Sequence, residues 1–435
     1  MKKLITLVVA AVMAVACCFS LVACGDDVIA YEGIKKVEKA SDIQIGFICL
    51  HDESSTYDKN FIDAIKKAAA DKGIPADNVH FKTGVPESSE CYDAAVELIE
   101  TYNCNIIYAD SFGHEAYMLQ AAQKYPGVQF CHATGTKAHT EVRGNYHNAF
   151  ASIYEGRYLV GAAAGWKLAS DMQDKAVNNN FKVGYIGAYT YAEVVSGYTA
   201  WFLGVKMALN YYNELYSTSY TATMDVQFTG SWYDYTAEYN AATALINNGC
   251  VLISQHADSL GAPTACAEKN IPNVSYNVDT TTMSDDAKIA STYVASSRIN
   301  WAPYFTYTFD CLLSGTEIAL DWTGDLSTGS VEVVSIGAAA TADTTILLEE
   351  LAYALKAGYV RVFDINNFTV KGNKLTSYRA DVDDMGDFVG ETEVIYADTQ
   401  AADAIVYFHE SGKAMRSAPY FDLQIDGITL VNTVF

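Results

Sequence analysis

Asn105 to Thr134 carries the pattern that decides the fold. Ile106-Ile107-Tyr108-Ala109 is a short apolar run that ends in a polar tip, Asp110-Ser111-Phe112-Gly113. Helical spacing follows through Ala116, Leu119 and Ala122, and a second apolar run, Val128-Gln129-Phe130-Cys131, closes the unit. The same order and length return at Cys250 to Asn277, as Val251-Leu252-Ile253-Ser254, the tip Gln255-His256-Ala257-Asp258-Ser259, a helix around Pro263 to Lys269, and Val274-Ser275-Tyr276. Upstream of each copy lies another strand–tip–helix unit, Ile43 to Gly73 in the first half and Lys182 to Tyr212 in the second. Repeated βα units of this length predict an α/β protein of two similar lobes, each with a parallel sheet flanked by helices and a hinge between them. In such sheets ligands bind beyond the carboxyl ends of the strands, so functional residues are expected at the tips.

A chain of 435 residues, half of them hydrophobic, is long enough for two cores. Its net charge of −24 opposes binding to nucleic acid or anionic lipid headgroups. At the N-terminus, Lys2 and Lys3 precede an apolar stretch from Leu4 to about Leu21, the layout of a secretory signal. It ends in Leu21-Val22-Ala23-Cys24-Gly25, which resembles the bacterial lipobox in which the cysteine is diacylated and becomes the mature N-terminus. Residues 1–23 are thus expected as a lipoprotein signal peptide and 24–41 as a tether, placing the protein on the outer face of the cytoplasmic membrane. Seven further cysteines, Cys49, Cys91, Cys104, Cys131, Cys250, Cys266 and Cys311, form no C-x-x-C pair, and their odd number indicates neither a disulfide framework nor a zinc site.

The first strand, Ile43 to Leu50, runs into a tip at His51 to Asn60, then a helix with Phe61, Ile65 and Ala68 on one face and Gly73 as its cap. Asn148 to Ala169 reads as a helix whose small residues permit close packing. In the second half the tip Ala188 to Glu193 opens a helix from Val194 to Tyr212, and Gly230 to Asp234 precedes another from Tyr235. Ile289 to Val294 reads as a strand, and Pro303 suits the first turn of the helix after it. The pattern there falls out of step, as expected of a chain that crosses back to its first sheet. Lobe one is expected at 42–170 plus about 295–330, lobe two at 171–294 plus about 331–365, and 366–435 as a C-terminal extension packing on both, with no chemistry assignable to it.

No G-x-S-x-G, H-E-x-x-H or Gly-rich phosphate loop occurs, so binding without turnover and without a cofactor or metal is expected. Instead, Tyr57, Phe112, Tyr189, Trp232, Tyr276 and Trp301 all fall at or beside strand ends, where flat rings can enclose a flat ligand. Glu193, Asp258 and Asp279, with Asn60, Ser111, His256 and Asn277, supply donors and acceptors at the same ends. Each has a bland alternative: core packing for the rings, a helix-dipole or N-cap role for the acids, and a satisfied structural role for His256 and His132.

Several ordered blocks resemble one family. They are Tyr108 to Gly113, Tyr125 to Gly135, Tyr154 to Gly161, Ser231-Trp232-Tyr233-Asp234, Gln255 to Ser259, Tyr276-Asn277-Val278-Asp279 and Asn300 to Tyr304. Together, over roughly Ile43 to Phe363, they are similar to the basic membrane protein (BMP) family of ABC-transporter substrate-binding lipoproteins. That resemblance implies a type I periplasmic binding protein fold, a purine base or nucleoside as ligand, and an ABC permease and ATPase as partners. One departure is visible: members of the family that this chain resembles usually carry Gly-Gly-Trp before the Thr-Tyr of the first tip, whereas here Ser54-Ser55 precede Thr56-Tyr57. Sugars also stack on aromatic rings, so a sugar or other small solute stands as the alternative ligand, and a surface adhesin or ligand-sensing lipoprotein as the alternative role. A two-lobed DNA-binding regulator would need a helix-turn-helix ahead of Ile43, where the signal segment lies.

Overall fold

The computed structural model describes residues 31–380, 382, 392–398, 405–410 and 416–434; the expected signal segment and Cys24 lie outside these. Two sheets organise the chain. Strands β1 (Ile45–Ile48), β2 (Val79–Lys82), β3 (Ile106–Ala109), β4 (Gln129–Ala133) and β5 (Tyr146–Ala151) form the first. The second holds β6 (Asn180–Gly187), β7 (Thr221–Phe228), β8 (Ile253–Gln255), β9 (Asn273–Tyr276) and β10 (Tyr293–Ile299). The chain then returns with β11 (Asp321–Gly324) to the first sheet and β12 (Val331–Ile336) to the second, giving orders β11-β5-β4-β3-β1-β2 and β12-β10-β9-β8-β6-β7. Every pairing within these orders is parallel except that of β12 with β10. This is the two-lobe α/β architecture that the repeated units predict, and the two quoted repeats contribute β3–β4 and β8–β9 at equivalent places. Each repeat ends on a residue with left-handed backbone, Thr134 (φ 66°) and Asn277 (φ 68°), an uncommon conformation for a side-chain-bearing residue.

Helix α1 (Thr56–Lys72) starts beyond β1. The Ser55 hydroxyl accepts from the Asp58 amide, and Gly73 in left-handed conformation ends the helix. Its buried stripe includes Phe61, Ile65 and Ala68. Helices α2 (Ile153–Asp171) and α3 (Ala192–Tyr216) cross at backbone contact. A methyl group on Gly161 would lie 2.1 Å from the Trp201 carbonyl oxygen, and one on Gly204 would lie 2.1 Å from that of Tyr158. Only the missing side chains permit that approach.

Two predicted boundaries shift. Tyr146–Ala151 is strand, not the start of a helix, because it pairs with both β4 and β11; α2 begins after Ser152. Ala287–Thr292 is a short helix capped by Asp286, and the strand lies one step later, at Tyr293–Ile299. That strand pairs with β9, so the chain stays in the second lobe up to Ile299 and crosses to the first at α4 (Ala302–Ser314), whose Phe305 ring meets Phe47 and Tyr108 of the first core. Three crossings lie side by side at Ser152, Asn300 and Asp325–Ser330. The Ser152 amide donates to Gly324 O and the Asn300 amide to Ser330 O, both at 2.8 Å.

The described C-terminal residues build onto the second lobe and also touch the first through Ser417 and Asp321. Strand Ile428–Leu430 extends that sheet parallel to β7, and Phe421 stacks on Phe363 with ring centroids 4.3 Å apart. All seven cysteines of the described residues are buried free thiols, packed as small hydrophobes.

Candidate functional site

A cavity of about 360 Å³ opens between the lobes at the carboxyl ends of both sheets. The first lobe contributes Leu50, His51, Tyr57, Asp58, Asp110, Ser111, Phe112, Thr134 and Thr136; the second contributes Thr190 to Glu193, Trp232, His256, Asp258 and Tyr276. The lobes also touch around it. The Thr56 amide donates to Asp258 O at 2.9 Å, and the Phe112 ring lies 5.6 Å from that of Tyr191.

Eight residues expected from the tips meet in the lining: Tyr57, Ser111, Phe112, Glu193, Trp232, His256, Asp258 and Tyr276. Tyr57 donates to the Asp110 carbonyl at 2.8 Å, which fixes its ring across the first-lobe tip. Ser111 donates to Glu87 at 2.6 Å. On the second lobe the Trp232 ring packs edge-on to Tyr189, which in turn stacks on Tyr191 at 5.2 Å.

The other five expected residues lie outside the lining, each for a visible reason. Tyr189 stands behind Tyr191, which takes the lining place instead. Asn60 spans the lobes, donating to Ile299 O at 2.8 Å. Asn277 supports Asp258, donating from Nδ2 to Oδ1 at 3.2 Å. Asp279 accepts from Thr281 and from the Ser335 hydroxyl, and so caps a turn. Trp301 is buried in the first core, stacked on Phe61 at 4.4 Å. His132 takes the structural role, with Nε2 against Ser111 O at 2.7 Å.

Electrostatics of the cavity are dominated by acids. Burial pushes the Asp110 carboxyl well above its ordinary range, and the neighbouring Asp58 pushes it further; with the Cys49 thiol these two place their polar atoms within 4.8 Å of one another. Asp258 is raised likewise, by burial first and then by Glu238. Both carboxyls thus hold their protons more tightly than an exposed aspartate does, because burial disfavours the charged form. His256 is 2% exposed, and burial holds its imidazole below the ordinary value even with Glu193 2.7 Å from Nε2. A carboxylate only accepts, so Nε2 carries the proton and Nδ1 accepts from the Tyr185 hydroxyl at 3.4 Å. Behind these groups the Arg157 guanidinium, fully buried, lies 3.3 Å from the Tyr276 ring centroid and donates to Gln255 O at 2.7 Å. It presses the ring from one side, and its charge also acts on Asp258 and His256.

The C-terminal extension also enters the lining, through Arg416, Ala418, Pro419, Tyr420 and Asp422. Sequence reasoning assigned these residues no chemistry, because nothing in their spacing places them at a strand end.

The arrangement suits a flat, polar-edged solute. Rings of Tyr57, Phe112, Tyr191, Trp232 and Tyr276 offer faces, and the acids with His256 offer edge contacts. A Haloferax volcanii protein named for glucose binding in an ABC transporter, TsgA13, is 29% identical over 225 residues, 52% of this chain and 50% of that one. A purine-binding protein of Brucella abortus is 28% identical over 236 residues, 54% of this chain and 59% of that one. The chain thus spans between half and three-fifths of these relatives. A solved ABC-transporter solute-binding protein of Conexibacter woesei superposes with a TM-score of 0.55 at 18% identity, over 73% of this chain and 98% of that one, a likeness of fold. The family model for ABC transporter substrate-binding proteins of the PnrA-like type, Bmp, matches residues 30–356, and the chain belongs to that family.

Proposed function

We propose that this protein is the extracytoplasmic, lipid-anchored solute-binding component of an ABC importer, and that it holds a purine base or nucleoside between its lobes without chemical turnover. The observation that carries this reading is the interlobe cavity, at about 360 Å³ in the lower part of the range of small-molecule sites, with aromatic faces from both lobes and buried acids at its edges. Purines present two flat faces and a rim of alternating donors and acceptors, which Asp110, Asp258 and the Glu193–His256 pair complement. The purine-binding relative supports the class. Stacking of a base on one such ring contributes roughly 1–3 kcal/mol in nucleic-acid binders. Permease and ATPase subunits complete the transporter in this reading, and Cys24 ties the protein to the membrane.

A sugar is the second reading, favoured by the relative named for glucose binding. Calorimetric titration of ligand-free protein with adenine, hypoxanthine, guanine, their nucleosides, D-glucose and D-ribose separates the two. Tight sugar binding with no heat from any purine would overturn the purine assignment. Replacing Cys24 with Ala and fractionating cells tests the anchor: release from the membrane is expected, and full retention refutes lipidation as the tether.

A further inference from the structure

Resting on the purine reading, we propose that the segment Arg416–Asp422 is the specificity wall of the cavity and that Arg416 donates to the ligand's C6 carbonyl, selecting 6-oxopurines over 6-aminopurines. The segment lies some sixty residues beyond the family-matched region, which ends at 356, yet five of its seven residues line the cavity. It is anchored to both lobes. The Ser417 amide donates to Asp321 Oδ1 at 2.8 Å on β11 of the first lobe. On the other side the Phe421 amide donates to Glu410, and Glu410 accepts from the Ser196 hydroxyl of α3 at 2.5 Å. Tyr198 of α3 also donates to Gln424 at 3.0 Å. Ala418, Tyr420 and Phe421 are buried, so the wall is packed in place and presents fixed groups.

Arg416 is the one lysine or arginine among the lining residues, facing a cavity whose other charged or acidic groups are Asp58, Asp110, Glu193, Asp258 and Asp422. Its Nη2 donates to Pro419 O at 3.1 Å, and the guanidinium carbon lies 5.9 Å from the Tyr420 ring centroid, which aligns the fork. The buried Nε has no protein partner among the described residues. Acids and a guanidinium in one cavity complement a lactam edge, in which an N1–H donor adjoins the C6 carbonyl acceptor. Adenine reverses both: its C6 amino group would set a donor against the donors of Arg416, and its N1 cannot donate. Arginine reads the carbonyl and ring-nitrogen acceptors of guanine in the same manner elsewhere.

The test is titration of the wild type, Arg416→Ala, Arg416→Lys and Ala418→Trp with hypoxanthine, guanine, adenine, their nucleosides, D-glucose and D-ribose, with thermal unfolding as the check on folding. Arg416→Ala is expected to weaken hypoxanthine and guanine by about ten- to a hundredfold and adenine by less than about threefold, with Arg416→Lys in between. Ala418→Trp fills the cavity and is expected to abolish binding of every compound the wild type binds. Wild-type binding of purines with an oxopurine-to-adenine ratio that Arg416→Ala leaves unchanged would overturn the inference and leave the purine reading standing. If the wild type binds only a sugar, or none of the panel, the purine reading and the oxopurine choice fall together. In the sugar case, unchanged affinity in Ala418→Trp would also remove the segment from the site.

Discussion

Gly197 gives the sharpest prediction about the site. It lies in α3, and a methyl group at its Cα would stand 2.7 Å from Nδ1 and 2.9 Å from Cε1 of His256. Ordinary contact begins near 3.4 Å, so in Gly197→Ala the ring must retreat by about 0.7 Å or the helix must shift by as much. The ring is buried and bonded to Glu193 at 2.7 Å, and a retreat of that size carries the bond towards about 3.4 Å, where it has lost most of its strength. A hydrogen bond to a charged group contributes about 1.5–3 kcal/mol. Alanine in a helix interior returns about 0.8–1 kcal/mol over glycine. The variant should therefore be less stable by about 0.5–2 kcal/mol in denaturant unfolding and should bind hypoxanthine about tenfold more weakly in calorimetry. A Gly197→Ala protein about 1 kcal/mol more stable than wild type, with unchanged affinity, would refute both the packing of His256 on this helix and its part in binding.

The close crossing of α2 and α3 makes Gly161→Ala costly despite the helix-propensity gain, because the obstacle at 2.1 Å is the backbone oxygen of Trp201; a net loss of about 1–3 kcal/mol is expected in urea unfolding. Trp301→Ala should cost about 3–5 kcal/mol by opening the first core around Phe61, while the relative affinities for different ligands stay as in wild type; a change in ligand preference would return Trp301 to the site. Stability should also depend on pH through three buried acids. Burial raises Glu410 to about 8 and Glu155 and Glu238 to about 7, against an ordinary 4.5. The folded state then keeps protons that the unfolded chain has released, so this stability is whole below about pH 4.5 and is lost as pH rises towards 8. Glu410→Gln should flatten the upper part of that fall in thermal unfolding between pH 6 and 8.5, and an undiminished slope would show that Glu410 does not carry it.

What the sequence reveals of this molecule follows from what is local. The two repeats are legible because each strand, tip and helix is a contiguous run whose period changes at the tip, and Thr134 and Asn277 end on the same left-handed turn in both. The tips are legible as places, but the direction of a side chain there is not. Tyr189 and Tyr191 stand two residues apart in an irregular turn, both rings packed near Trp232, yet Tyr191 lines the cavity and Tyr189 lies behind it. Acids at tips divide in the same way. Asp258 meets the cavity with Asn277 donating to one of its oxygens, while Asp279 is held by Thr281 and Ser335 as a cap, and one sequence offers no means to choose between them. The C-terminal wall is the extreme case. Arg416 reaches the cavity through contacts with Pro419, Tyr420, Asp321 by way of Ser417, and Ser196 by way of Glu410, partners up to 214 residues away in the chain. No periodicity encodes those pairings, so the residues with the strongest claim to set ligand choice are the ones whose sequence context says least.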